Sequence, residues 1–175
     1  PDYGVDAKGK PIPAPSKSTH HHGGEKGATN KPVSIATLVE GSKKADVVVN
    51  LTAQQGTFSL AGHEIDGFVL NGKTPGPNIV VKQGELLEVR LHNDNVTEGV
   101  ALHWHGIDVP NAEDGVAGVT QNAVLPGKSH TYRFVAKQAG TYWYHSHQVA
   151  HEQVAGGLFG ALVVLTLGLA PIEYP

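Results

Sequence analysis

From Ala45 onward, short apolar runs alternate with polar positions at period two and are separated by clusters of Gly, Pro and Asn. That is the pattern of antiparallel strands joined by tight turns. Val47-Val48-Val49-Asn50-Leu51-Thr52 predicts a first strand, and Thr57–Leu60 and Ile65–Leu70 flank a turn at Ala61-Gly62-His63. Further strands are expected at Ile79–Val81, at Leu86–Leu91 closed by Asn93-Asp94-Asn95, and from near Val100 to His105. Pro110–Gly118 reads as a polar loop and Leu125-Pro126-Gly127 as a turn. The strands His130–Val135 and Thr141–His145 follow, with a turn at Gln138-Ala139-Gly140 between them. Gln148–Val154 predicts one or two helical turns, broken by Gly156-Gly157, before a buried strand at Gly160–Leu165. Eight or nine short strands with regular turns make the domain all-β, a β-sandwich or Greek-key barrel of about 120 residues.

The flanking segments have a different character. Residues 1–44 are rich in Pro, Gly, Lys and Ser and include His20-His21-His22, which predicts a flexible arm carrying a solvated histidine tract. Within the arm, Pro32–Val39 can dock as a short strand or helix. The domain is expected over 45–168, with 169–175 as a linker or tail. The chain opens on Pro1 and contains no methionine, as expected of a processed or trimmed product. Its longest apolar run, Leu158–Ala170, is interrupted by Gly160, Thr166 and Gly168 and is too short to cross a bilayer, so no membrane span is expected.

With 175 residues there is enough chain to bury a core without metal or disulfide staples. A net charge of -3 argues against nucleic acid as the main partner. Because there is no cysteine, the chain has no disulfide and cannot supply the thiolate of a blue-copper electron-transfer site. Any copper it holds is bound by imidazole and oxygen.

The candidate chemistry lies in the histidines. His103-Trp104-His105 and His145-Ser146-His147 each place two imidazoles two residues apart, on one face of a strand. Four such groups are poorly explained by packing alone, since each buried, unmet ring nitrogen costs free energy that a metal removes. Imidazole suits copper, zinc, iron and nickel, and the spacing does not choose among them. By alternation Trp104 faces away from its histidines, whereas Trp143 shares a face with His145. Asp114 fits two roles equally well, a turn aspartate before Gly115 or a carboxylate that orients a ligand or a metal-bound water. His63, His92 and His130 read as satisfied polar groups, and His151 as an outer or surface residue.

Together, His103-Trp104-His105-Gly106, Asp114-Gly115, Val119-Thr120-Gln121, Pro126-Gly127, Gly140–His147 and Gly157–Val164 resemble the first cupredoxin domain of multicopper oxidases, over about residues 46–166 and most closely in bacterial laccase-like members. The resemblance implies a cupredoxin-like Greek-key fold and half of a trinuclear copper cluster that reduces dioxygen to water. His103 matches a type 2 copper ligand, His105 and His145 match ligands of one type 3 copper, His147 matches a ligand of the other, and Asp114 matches a residue of proton delivery. It also implies an extracytoplasmic protein, and Asn122 stands where some relatives place a disulfide cysteine.

The family's type 1 copper segment, with its His-Cys-His, is absent, so the chain alone is not expected to be a working oxidase. The missing ligands would come from a further cupredoxin domain or chain. A second reading is an association of identical copies that build a copper site or an assembly unit. A third is a mononuclear zinc or iron site of the cupin kind, for which Asp108 comes too early after the histidine pair.

Overall fold

A computed structural model describes residues 43–166. The tract His20–His22, the segment Pro32–Val39, nearly all of the predicted arm and the tail 169–175 lie outside the described residues. Eight strands form two four-stranded sheets. In chain order they are β1 (Val47–Leu60), β2 (His63–Leu70), β3 (Ile79–Lys82), β4 (Leu86–Asn93), β5 (Leu102–His105), β6 (Lys128–Val135), β7 (Gly140–Ser146) and β8 (Phe159–Leu165). One sheet has the order β2-β1-β4-β6 and the other β3-β8-β7-β5. A short helix, α1 (Ala150–Gln153), falls inside the stretch predicted to be helical.

Two features differ from the sequence expectation. The runs predicted as separate strands at Val47–Thr52 and Thr57–Leu60 are one continuous strand of 14 residues. Its first half pairs with β4, from Val47 with Leu87 to Ala53 with Asn93. Its second half pairs with β2, from Ala53 with Leu70 onward. Changing partner at Ala53 carries the backbone through the polar Gln54-Gln55-Gly56 without a turn. Moreover, the strands are not all antiparallel: β1 pairs with β4, and β3 with β8, in parallel. Parallel neighbours need a crossover, and here intervening strands supply it.

The core lies between the sheets. Leu51, Leu87, Val89 and Leu91 face Ile79, Leu102, Leu162 and Val164, all nearly or fully buried. At its centre the Trp104 ring meets Tyr132 edge-on at 5.4 Å, Phe134 at 5.0 Å and Tyr144 at 6.0 Å. Such aromatic contacts add about 0.5–1.5 kcal/mol per pair beyond burial. Tyr144 reaches across to donate its hydroxyl to the Pro77 carbonyl at 2.7 Å. It lies flat on β8 because its cross-strand partner is Gly160, where a Cβ would stand 2.4 Å from the Tyr144 ring.

Phe134→Ala, which empties the middle of this cluster, is expected to lower stability by about 3–5 kcal/mol. Urea denaturation followed by tryptophan fluorescence measures it; a loss below about 1 kcal/mol would mean the cluster does not organise the core.

Candidate metal centre

The two histidine pairs meet because β5 and β7 are antiparallel neighbours. Their register sets His103 opposite His145 and His105 opposite Trp143. The alternate residues Leu102, Trp104 and Tyr144 turn into the core. One face therefore carries His103, His105, Trp143 and His145, as the period-two reading predicts for the tryptophans and each pair. His147 lies just past the end of β7, where its N–H is held by the Ala101 carbonyl at 2.7 Å. The His103 ring is nearly equidistant from the other three, with centroids 5.7 Å from His105, 5.4 Å from His145 and 5.5 Å from His147. All four line an open cavity of about 580 Å3, together with Trp143 and the exposed His151.

Hydrogen bonds define which nitrogens face the cavity. His103 Nδ1 sits 2.9 Å from the Asp114 carbonyl and 3.2 Å from Asp114 Oδ1. Both are acceptors, so Nδ1 carries the proton and Nε2 the lone pair. His145 Nδ1 is 2.9 Å from the Ser146 carbonyl, which by the same argument leaves its lone pair on Nε2. Burial, reinforced by the three neighbouring imidazoles and opposed by the Ser146 bond, holds the His145 pKa below its ordinary value. The neutral form is the one that ligates a metal.

His105 Nδ1 approaches His145 Nε2 at 3.2 Å. Two imidazole nitrogens bound to one metal at roughly 2.0–2.1 Å stand roughly 3.1–3.4 Å apart when they subtend about 100–110°. The spacing thus fits a shared metal. Without one, His105 Nδ1 must keep a proton to bond with the His145 lone pair. Ligand atoms of His103, His105 and His145 lie within 4.8 Å of one another, close enough to hold a metal ion together. His147 stands outside that trio, its ring centroid 5.5 Å from His103 and 6.3 Å from His145. The donor set is imidazole throughout, which suits copper(II) and zinc.

Asp114 follows a 3-10 turn at Asn111–Glu113, so it is both a turn residue and the group that orients His103. Gly115 has a left-handed φ of 70°, and a Cβ there would lie 1.7 Å from the Leu102 carbonyl, so the loop backbone rests directly on β5. Asp108 is committed elsewhere, with its backbone and carboxylate both bonded to Gln138. That removes it as a cupin-like ligand.

Sequence reasoning passed over three supports. Ser146, between two histidines, points inward and donates to Gln153 Oε1 at 2.6 Å, while Gln153 Nε2 donates to the Gly99 carbonyl at 2.9 Å. Buried Glu113 takes the Arg133 N–H on Oε2 at 2.7 Å, and its carbonyl takes the Trp104 indole N–H at 3.0 Å. Alternation gave a signal for Ser146 alone, since the neighbour of an outward histidine must face in.

Such a two-sheet β-sandwich with an imidazole wall at the end of one hairpin-like strand pair is a cupredoxin-type metal domain. The profile of the family described as multicopper oxidase matches residues 52–167. The chain belongs to that family. It is 47% identical over 122 residues to dihydrogeodin oxidase of Aspergillus terreus, covering 67% of this chain and 20% of that protein. It is also 47% identical over 98 residues to L-ascorbate oxidase of Cucumis sativus, covering 54% and 16%. The crystal structure of a multicopper oxidase from Pseudomonas thermotolerans superposes with a TM-score of 0.68 at 32% identity, covering 75% of this chain and 32% of that one. The chain therefore spans about a fifth of the length of these curated relatives. Among the described residues no helix is long and apolar enough to cross a membrane.

Burial raises the Glu113 pKa above 4.5, partly offset by the Arg133 N–H. A raised native pKa means that the folded state holds its proton more tightly, so this contribution is complete below 4.5 and is lost as pH rises through the native value. Glu113→Gln keeps the acceptor oxygen without the charge. Its stability relative to the parent chain is expected to rise between pH 4 and pH 7, read by urea denaturation at both; a difference independent of pH would contradict the burial argument.

Proposed function

We propose that this chain is a cupredoxin domain of a multicopper oxidase and supplies one half of a trinuclear copper site, where dioxygen is reduced to water while a substrate is oxidised. The observation that carries this reading is the convergence of four imidazoles, two with their lone pairs fixed on Nε2 by carbonyl partners on Nδ1, on a face that borders an open cavity. Within it His103 is the type 2 ligand, His105 and His145 share one type 3 copper, and His147 serves the other. Residues 45–168 form the copper-binding unit.

Copper bound there supplies one-electron redox steps that together deliver the four electrons dioxygen needs, with four protons, to become two waters. The chain's own residues hold and orient. Ser146 and Asp114 fix the lone pairs of His145 and His103, and burial holds the His145 pKa below its ordinary value. The Asp114 carboxylate, in contact with His103 Nδ1, is the group placed to hand protons toward the site.

A complete cluster needs ligands from outside this chain, and with no cysteine the chain has no type 1 copper to bring electrons in. A further cupredoxin domain supplies both. The histidine face continues along the same sheet as an apolar strip: Trp143 lies opposite Ala161, His145 opposite Phe159, and Val163 opposite Val80. Trp143 is 37% exposed and Val80 50%. This is the side on which that domain would close over the metals and exclude water. The small share of each relative that the chain covers favours this reading over association of identical copies. On this reading the protein works outside the cytoplasm.

Copper titration of the purified chain, followed by electron paramagnetic resonance, tests the ligand assignment. His105→Ala and His145→Ala should each weaken copper binding by more than the roughly 10- to 100-fold that loss of an outer hydrogen-bond partner costs. Addition of the domain carrying the missing ligands should then yield oxidase activity with the parent chain and none with either variant. Unchanged copper uptake in both variants would sink the assignment.

A further inference from the structure

We propose that Glu113 is a positioning residue for the histidine wall: its carboxylate ties the Asn111–Gly115 turn to β6, which holds the Asp114 carbonyl on His103 Nδ1 and keeps the His103 lone pair on Nε2.

The turn is fastened at three successive points. The Glu113 carboxylate accepts the Arg133 N–H from β6 at 2.7 Å. Among the described residues β6 is the last strand of its sheet, beyond β4. The Glu113 carbonyl accepts the Trp104 indole N–H at 3.0 Å, which hooks the turn to the core face of β5. One residue on, the Asp114 carbonyl accepts from His103 at 2.9 Å, on the opposite face of the same strand. The turn therefore clasps β5 from both faces, and the carboxylate anchors the clasp to the other sheet.

A buried carboxylate is an expensive way to fill space. Its place is explained by the bond it makes. Without it, the Trp104 hook and the close packing of Gly115 on Leu102 remain to hold the turn near β5. What loosens is the alignment of the Asp114 carbonyl with the imidazole. An imidazole that loses its Nδ1 acceptor is free to carry its proton on Nε2, where it blocks the metal.

This inference rests on the reading of His103 as a ligand only for its consequence, because the positioning itself belongs to the metal-free chain. Long-range 1H–15N correlation spectra of the histidine rings in the metal-free full chain report the tautomer directly. The parent chain and Glu113→Gln, which retains an acceptor oxygen, should show His103 with its proton on Nδ1. Glu113→Ala should show a mixture of tautomers, with Nδ1–H exchange about tenfold faster, as expected when one hydrogen bond of the clasp is lost. His145, held by Ser146, should be unchanged in every variant.

Should Glu113→Ala fail to fold, Glu113→Asp, one methylene too short to reach β6, carries the same test. Retention of the parent His103 tautomer in a folded Glu113→Ala or Glu113→Asp chain overturns the proposal, as does its loss in Glu113→Gln. Copper(II) titration separates the two claims. Affinity should fall roughly 10- to 100-fold in Glu113→Ala and recover in Glu113→Gln. If His103→Ala leaves copper binding intact while the tautomer result stands, the ligand assignment fails and the positioning role remains.

Discussion

The register between β5 and β7 is the constraint on which the rest of the molecule's chemistry depends. With His103 set opposite His145, three imidazoles and Trp143 share the outer face, while Leu102, Trp104, Tyr144 and Ser146 turn inward. A slip of one residue would drive imidazoles into the core and expose the largest aromatic rings, because side chains alternate strictly along a strand. The burial of Trp104 and Tyr144 thus fixes the metal face from behind. Packing energy of the ordinary kind is what aims the imidazoles.

A second layer of order concerns protons. The lone pairs of His103 and His145 are directed by the backbone carbonyls of Asp114, just past the Asn111–Glu113 turn, and of Ser146, the last residue of β7, whose side chain is held by a buried hydrogen bond to Gln153. The wall is therefore organised without metal, and the ordering is built into the folded chain rather than imposed by the ion. Its open side is the counterpart. The site is shaped on one side only and is continuous with an apolar strip, the form that the proposed sharing of the centre with a second domain requires.

Much of this was legible in the sequence because the relevant signals are local. Period-two alternation gave the strands, Gly-containing turns gave their ends, and the two His-Xaa-His units gave the face. The division of Trp104 and Trp143 between core and surface followed from the same rule. What could not be read depends on distant partners. Nothing local distinguishes a 14-residue strand from two short ones when the partner changes at Ala53, and parallel pairing of β1 with β4 is set by the crossover. Glu113 looks like a solvated loop acid until β6 is placed beside it, and Gln153 looks like a helix surface residue until Ser146 and Gly99 enclose it. Asp114 was open between a turn role and an orienting one, and the structure gives its backbone and its carboxylate to both.

The central claim is that the chain presents a preformed imidazole wall to copper. Anomalous diffraction at the copper edge from copper-soaked crystals tests it most directly. The expected result is a copper peak joining His105 Nδ1 and His145 Nε2 at roughly 2.0–2.1 Å from each, with the rings where the metal-free chain holds them. Copper found only elsewhere, on the His20–His22 tract for example, with the His105–His145 contact intact, would contradict it.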